Sequence, residues 1–215
     1  MNDLITGLLQ ESVSGIALGC IYALIALGFT LIFKATEVVN FAQGEIMMVG
    51  AYVNFFFVAQ FSGMAGGLNF WVYLFAFAGS IIFAILFGIL LDYTINRPLK
   101  DAPVFSIIMA TISLAIILRS LTAIIAGPIS LVPTSPFGDK TFNIGSVVIS
   151  ILDISIIIWT IVLMIIFYFF FNKTRWGIAM KATSTDPEAA QLMGIPVKQV
   201  YRFVWIFAAL VGVIG

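Results

Sequence analysis

The polar string NFAQGE, residues 40–45, places groups capable of binding chemistry inside an otherwise apolar part of this 215-residue sequence. It carries amides at Asn40 and Gln43 and a carboxylate at Glu45. Polar groups at membrane depth are costly unless they are paired or hydrated, so they tend to mark the path of a substrate. We therefore predict that these three residues line a substrate pathway or gate. The alternative is that Asn40 caps the following helix and Glu45 pairs with Lys34 at the membrane surface.

Several other kinds of chemical site are missing from the sequence. It contains no His and a single cysteine, Cys20, which excludes a His-ligated zinc site and an internal disulfide. No G-x-x-x-x-G-K-[ST] string is present, so the chain has no phosphate-cradling loop of its own. We therefore predict no catalytic residues, no metal site and no cofactor bound by this chain.

The elements that must position the polar string are membrane helices. The composition is 62% hydrophobic and 9% charged, and such a surface could not keep a soluble domain in solution. The formal net charge is zero, so nucleic acid is not an expected partner, whereas a lipid bilayer is. Four apolar runs reach the roughly 20 residues that cross about 30 Å of hydrocarbon. They are residues 12–33, 70–91, 104–126 and 147–171.

Two further apolar runs are shorter. Residues 46–61 follow NFAQGE and carry Asn54, which predicts a broken or re-entrant helix covered by protein or by a water cavity. Residues 203–215 are too few to cross, and the sequence ends within them, so we expect residues 1–215 to form a single transmembrane domain that lacks its later, C-terminal spans. The predicted fold class is all-α: a polytopic transmembrane helix bundle with a broken or re-entrant second segment.

Small residues recur at every fourth position on two of the predicted spans. Such stripes let helix backbones approach closely, which supplies the van der Waals contact that holds helices together in lipid. We expect both stripes to be helix contacts. They are Gly15, Gly19 and Ala23 on the first span, and Ala76, Ser80, Ala84 and Gly88 on the span 70–91.

The basic residues predict which end of the bundle faces the cytoplasm. With the amino terminus outside and residues 46–61 counted as a crossing, all but two of them fall inside. Lys140 falls outside and Arg119 falls within a span. The opposite orientation would reverse this bias. Those inside are Lys34, Arg97, Lys100, Lys173, Arg175, Lys181, Lys198 and Arg202.

Arg119 is the one basic residue inside a predicted span. It lies seven residues from the outer end of residues 104–126, or about 10 Å at the rise of an α-helix. We expect its long side chain to reach the outer surface. The alternative is an ion pair with Asp153 or Glu11 on neighbouring spans.

The string DPEAAQLMGI, residues 186–195, predicts a short helix within a cytoplasmic loop, residues 172–202. Asp186 can accept hydrogen bonds from the first free N–H groups, and Pro187 suits the first turn. Gly194 can adopt the left-handed conformation that ends a helix. A helix of about two turns is marginal alone, so something must hold it. One possibility is a partner protein, which the small alanines on the exposed ridge of the helix would allow to come close. The other is that the helix lies on the membrane or on its own bundle.

Several strings resemble known transport proteins. The pattern of Glu188, Ala189, Ala190 and Gly194 is similar to the coupling loop of ABC importer permeases. GIALGCIYALIALGFTLIFKATEVVNFAQGE, RPLK and RWGIAMKATSTDPEAAQLMGI resemble, in order along the chain, the branched-chain amino acid permeases. Members of that family often carry His where this chain has Gln43, and an amide cannot titrate, so no proton-sensing role is expected there.

The resemblance implies the membrane subunit of an ATP-driven importer for branched-chain or related neutral amino acids, in a bacterial or archaeal cytoplasmic membrane. The short helix would be a coupling helix that inserts into a groove on an ABC ATPase subunit. ATP would be used by that partner. A second permease subunit, related or identical, and an extracytoplasmic substrate-binding protein are also implied. Related members handle urea or short amides, which is one alternative for the substrate.

Two rivals belong to other classes. An ATP-independent carrier or channel would be expected to carry an ion-coupling carboxylate at mid-bilayer. The sequence shows no clear one, since Asp153 and Glu11 are predicted toward the outer interface. A membrane scaffold or receptor without transport is the second rival. The polar string NFAQGE counts against it, because a scaffold gains nothing from polar groups at membrane depth.

Overall fold

A computed structural model of the chain contains an all-α membrane bundle. Six helices in its described residues are long and apolar enough to cross a membrane, which confirms the predicted fold class. Lys100 and Lys140 lie outside the described residues. The described residues are 2–37, 39–65, 67–99, 102–127, 141–144 and 147–214.

In the described residues the regular elements are all helices except for one β-hairpin. A single π-helical turn, Asp92–Asn96, continues the third helix. The α-helices are α1 (Asn2–Thr36), α2 (Gln43–Ala65), α3 (Phe70–Leu91), α4 (Val104–Ala126), α5 (Ile151–Lys173), α6 (Arg175–Thr185), α7 (Pro187–Leu192) and α8 (Val197–Ile214). The strands are β1 (Thr141–Ile144) and β2 (Val147–Ser150).

The hairpin shifts the start of α5, the helix predicted from the apolar run 147–171. β1 and β2 pair antiparallel, with Thr141 opposite Ser150. The predicted run 147–171 therefore becomes helical only at Ile151, because its first four residues are held in a strand. Ser150 then caps α5, since its Oγ accepts the N–H of Leu152 at 3.2 Å.

The second segment is not broken. α2 is one continuous helix over Gln43–Ala65, and it passes through Asn54 without interruption. The prediction of a break was wrong because a polar side chain leaves the main-chain hydrogen bonds of a helix intact. The interruption precedes α2 instead. Glu37 ends α1 in the left-handed conformation, with φ +54°, and residues 39–42 are irregular.

The irregular residues 39–42 carry the chain back into the bundle. Gln43, which follows them, donates from Nε2 to the carbonyl oxygen of Ala208 at 3.1 Å and lies against Gly28. Gly28 is about 12 Å from the end of α1, and Ala208 is about 16 Å from the start of α8. Asn40 is buried on the way. Protein thus covers the irregular backbone, as a membrane requires.

α8 is the central helix of the bundle and packs against α1, α2 and α3. It begins at Val197, so the predicted run 203–215 is part of an 18-residue helix that is long enough to be a span. The expectation that it was too short is wrong because Arg202 does not end the helix. Val200 and Val204 are buried on one face while Arg202 lies on an exposed one.

One of the two small-residue stripes is a helix contact. All four members of the stripe on α3 are buried, and a methyl group at Gly88 would lie 2.6 Å from Cα of Ile206 in α8. The stripe on α1 differs. Gly15 and Gly19 are exposed, and apart from the neighbouring residues and backbone of α1 itself no described atom lies within 4 Å of a methyl group placed at either.

The described basic residues other than Arg119 gather at one end of the bundle, as predicted. The Lys34 ammonium lies 5.6 Å from the ring centroid of Phe171, so the carboxyl ends of α1 and α5 meet. Arg97, after α3, and Arg202, in α8, share one carboxylate. This end, called the basic end below, also carries α6 and α7.

Candidate substrate pathway and coupling helix

Asn40 is 1% exposed and is held by its own segment. Its Oδ1 accepts the N–H of Ala42 at 3.0 Å, so it orders the turn that leads into α2. Its Nδ2 has no hydrogen-bond partner in the described part of the chain. A buried donor of this kind points to a site for water or for an acceptor group.

A small cavity at the basic end connects Asn40 with α8. Its volume is about 70 Å³, and its lining includes Asn40, Asn96, Tyr201 and Trp205. Trp205 is buried, and among the described atoms its Nε1 also lacks a partner. Asn40 and Trp205, which carry the two unpaired donors, therefore line a space with room for water, together with four further polar residues: Thr36, Asn96, Thr111 and Tyr201. Sequence reasoning missed Trp205, because nothing in the sequence brings it to Asn40.

Gln43 is wedged between three helices and is 0% exposed. Its amide nitrogen donates to the carbonyl oxygen of Ala208, while its Oε1 has no partner among the described residues. Gly28 makes room for it, because a methyl group there would collide with the Gln43 amide. Gln43 therefore fixes α1, α2 and α8 at one level of the bundle.

Glu45 faces α4 and pairs with Arg119, whose Nη2 lies 3.6 Å from its Oε1. Among the described residues Glu45 forms no ion pair with Lys34, and Arg119 forms none with Asp153 or Glu11, so these predicted alternatives are wrong. The Asp153 carboxylate accepts the Ser14 hydroxyl at 2.8 Å. Because α2 begins deep in the bundle, Glu45 supplies the mid-depth carboxylate that the sequence did not reveal.

A buried carboxylate at the basic end was not predicted. Asp92, with a side chain 2% exposed, accepts Asn96 Nδ2 at 2.7 Å and Arg97 Nε at 3.2 Å. Arg202 Nε lies 3.5 Å from the same carboxylate. The spacing of Asp92 to Asn96 and Arg97 is a local signal that could have been noticed. The contact with Arg202 could not have been predicted from the sequence, since only the packing of α8 on α3 brings Arg202 to Asp92.

The predicted short helix is present with both caps. Asp186 Oδ1 accepts the N–H groups of Glu188 at 3.0 Å and Ala189 at 2.9 Å. Gly194 is left-handed, with φ +85°, and its N–H donates to the carbonyl oxygen of Gln191 at 3.0 Å. The sequence signals for the start and end of α7 were therefore sufficient.

The exposed face of α7 is not the one predicted. Ala190 is buried against the rest of the chain, so the two alanines do not form an exposed ridge. Ile195, just after the helix, packs against the main hydrophobic cluster. The side chains that project are Leu192, 90% exposed, and Met193, 83% exposed. The short alanine side chain lets α7 sit close to the bundle, and this leaves the larger apolar residues outside.

The three predicted pathway residues do not meet at one point. Asn40 lines the cavity at the basic end, Gln43 lies in the core, and Glu45 faces α4. These three residues, called the polar route below, lead from the basic end into the bundle, and their role in a substrate pathway stays a prediction. Apolar helices of membrane length with buried polar side chains between them are typical of membrane transport proteins.

Comparisons with known proteins give the family. Residues 12–215 match the family described as "Branched-chain amino acid transport system / permease component". The chain belongs to this family and is a permease component of a transport system. No solved structure matches it significantly.

Three curated relatives show the range of similarity. The high-affinity branched-chain amino acid transport system permease protein LivH of Salmonella typhimurium is 27% identical over 220 residues, which cover 100% of this chain and 71% of the relative. BraD, a permease protein of the same description from Pseudomonas aeruginosa, is 29% identical over 96% of this chain and 69% of BraD. A probable branched-chain amino acid transport permease protein LivH of Methanocaldococcus jannaschii is 34% identical over 89% of this chain and 60% of that relative.

Proposed function

We propose that this chain is the permease subunit of an ATP-driven importer for branched-chain or related neutral amino acids. The observation that carries the proposal is the form of α7. It is capped at both ends, seated on the bundle through Ala190, and presents Leu192 and Met193 to the outside. A helix that places apolar side chains outward is suited to a groove on a partner, which we propose to be an ABC ATPase subunit.

α7 is connected directly to the polar route. Ile195 packs against the core, and α8 begins two residues later at Val197. α8 carries Trp205 to the cavity and Ala208 to the Gln43 amide. A displacement of α7 by ATP closure of the ATPase subunits would therefore reach the cavity and the core through one rigid helix, and so alternate the opening of the bundle.

The proposal includes further partners. A second permease subunit, related or identical, would complete the pathway, and an extracytoplasmic binding protein would deliver the substrate at the end opposite α7. The basic end would face the cytoplasm of a bacterium or archaeon, with the amino terminus outside. ATP would be used by the ATPase subunits alone, and this chain would bind no cofactor.

One observation favours a second candidate, an ATP-independent carrier. Glu45 is a carboxylate inside the bundle, and such groups couple ions to transport in secondary carriers. The two candidates differ in energy source. Uptake into proteoliposomes that follows ATP supply and ignores an imposed proton or sodium gradient would support the importer, and the reverse dependence would support the carrier.

The docking role is tested by a bulky residue at the end of α7. We expect Gly194→Trp to reduce co-purification of the ATPase subunit and to abolish ATP-driven uptake, because a side chain is strained at φ +85° and would distort the exposed end of the helix. Gly127→Trp is the matched control. Gly127 also follows the end of a helix, with φ +83° and, like Gly194, open space around it. It lies at the C-terminal end of α4, at the end of the bundle opposite α7.

A second pair of variants separates docking from helix distortion. Leu192→Asp leaves the caps of α7 intact and replaces an exposed apolar contact with a charge. Met64→Asp makes the same kind of change at an exposed residue at the far end of α2. We expect only Leu192→Asp to lose the ATPase subunit. Full ATP-driven uptake in both Gly194→Trp and Leu192→Asp would refute the docking role.

A further inference from the structure

The Arg119–Glu45 pair lies in the interior of the membrane-spanning region. Arg119 is about 22 Å from the start of α4 and about 10 Å from its end. Glu45 is in the first turn of α2, two residues after Gln43. The hydrogen-bond partner of Gln43, Ala208, lies about 16 Å from the start of α8. Both measures place the pair well inside a hydrocarbon layer of about 30 Å.

The pair has capacity to spare. The Arg119 side chain is 77% exposed, and its Nη2 lies 3.6 Å from Oε1 of Glu45. A guanidinium has five N–H donors in a planar fork that suits a carboxylate. Glu45 can still accept hydrogen bonds from an ammonium group. An exposed cation in lipid would be costly, which indicates that in the assembled protein this face of α4 meets other protein, water or a ligand rather than lipid.

We propose that Arg119 and Glu45 form the binding site for the zwitterionic end of a neutral α-amino acid in transit. Arg119 binds the α-carboxylate and Glu45 binds the α-ammonium. The inference rests on the proposed function, since it assigns the substrate contacts of the same pathway.

The exchange of partners is electrically neutral. In the structure each charge of the pair has the other as its partner. A zwitterion entering between them replaces one ion pair by two and leaves the net charge of the site unchanged, so the desolvation that opposes charge burial is matched by new contacts. The residues three or four positions from Arg119 on α4 are Ala115, Ile116, Thr122 and Ala123. The Thr122 hydroxyl donates to the carbonyl oxygen of Leu118 within the helix, so these neighbours give the site mainly apolar surroundings that suit an aliphatic side chain.

The test measures ligand binding to the assembled transporter in nanodiscs without the binding protein, so that the binding protein cannot set the selectivity. The probes are L-leucine, L-leucinamide, which lacks the carboxylate, and N-acetyl-L-leucine, which lacks the ammonium. We expect wild-type protein to bind leucine about tenfold or more tightly than either analogue, because each analogue leaves one charged group of the site without its partner.

The variants assign each charge to its partner. Arg119→Gln should weaken leucine binding to the level of leucinamide and leave leucinamide unchanged. Glu45→Gln should weaken the binding of leucine to the level of N-acetyl-leucine and leave the binding of N-acetyl-leucine unchanged. Arg119→Lys, which keeps the charge, should retain part of the preference for leucine. Lys34→Gln and Asp153→Asn remove the same charges elsewhere and should leave the pattern of the three probes as in the wild type.

The outcomes separate this inference from the proposed function. A variant that weakens all three probes equally, or that loses a permease subunit, would show an ion pair that serves structure or assembly, and the inference would fail. Wild-type protein that binds urea or acetamide but no zwitterion would also overturn it. ATP-driven uptake would keep the importer assignment in either case. A charge-specific pattern without an associated ATPase would retain the site and move it to a carrier.

Discussion

Gln43 shows at the scale of one residue how this bundle joins three helices. Its side chain is fully buried, bonded to the backbone of α8 and seated against Gly28 of α1. A buried amide is stabilising only when its polar atoms are satisfied, and its Oε1 has no partner in the described part of the chain. Gln43 therefore combines tight packing on one side of its amide with a carbonyl oxygen to which no described residue donates.

The contact between Gly28 and Gln43 makes a testable pair. Gly28→Ala should lower the free energy of unfolding by about 1–3 kcal/mol, because the added methyl group must displace a buried side chain. In the double variant Gly28→Ala/Gln43→Ala the collision is gone, so the combined loss should be smaller than the sum of the single losses. Thermal or denaturant unfolding of the purified protein measures all three.

Gly15→Ala is the control for this pair, since apart from the neighbouring residues and backbone of α1 itself no described atom lies within 4 Å of the added methyl group. Its stability should match that of the wild type or exceed it slightly, because alanine favours the helix. Additive losses in the Gly28 and Gln43 variants would mean that the two residues act independently, contrary to the packing described here.

At the scale of elements, the Asp92 cluster joins α3 to α8. The carboxylate lies in a π-helical turn, where an extra residue per turn interrupts the regular helix, and such turns are frequent at functional sites. It binds Arg97 from its own segment and Arg202 from α8. Because α8 follows α7 after four residues, this cluster contributes to how firmly the helix next to α7 is held against α3.

Asp92→Asn should weaken that attachment. The neutral amide cannot balance two guanidinium groups, so we expect a loss of about 1–3 kcal/mol in the free energy of unfolding. The two arginine side chains are each 46% exposed, and water then compensates part of the loss. We also expect uptake to fall further than ATPase activity, since α8 would move without carrying α3.

Asp153→Asn is the comparison for this variant. It removes a carboxylate of the same charge that accepts a single bond, from the Ser14 hydroxyl. Its unfolding midpoint should stay close to that of the wild type. If Asp92→Asn were equally stable and transported normally, the cluster would have no part in joining the two helices.

At the scale of the whole molecule, the direction of the bundle in the membrane is the property that every proposed partner depends on. The basic end carries α6, α7 and the start of α8, and an ATPase subunit can reach α7 only from the cytoplasm. The far end carries the turn between α2 and α3. The distribution of Lys and Arg predicts the orientation with the basic end inside.

Cysteine labelling tests this orientation. With Cys20, the only cysteine, replaced by Ser, Met64→Cys and Leu192→Cys provide two exposed sites at opposite ends of the bundle. A membrane-impermeant maleimide should label Met64→Cys in intact cells and Leu192→Cys only after the membrane is opened. Labelling in the reverse order would place α7 outside and would end the case for a coupling helix.

The sequence by itself determined the membrane class, most of the helices, the gathering of basic residues at one end, and the caps of α7. These features depend on local physics: hydrophobic length, side-chain capping at Asp186 and the left-handed conformation at Gly194. Nearby residues are enough to specify them. The family could also be identified, since its strings follow one another along the chain.

Only the tertiary structure decided where the polar groups meet. The Glu45–Arg119 pair, the attachment of Arg202 to Asp92 and the contact of Gln43 with Gly28 each join residues from different helices. The continuity of α2 and the buried side of Ala190 also depended on neighbours in space. Helix packing in a bundle brings distant positions together, and one helical periodicity does not specify which neighbour will occupy its buried face.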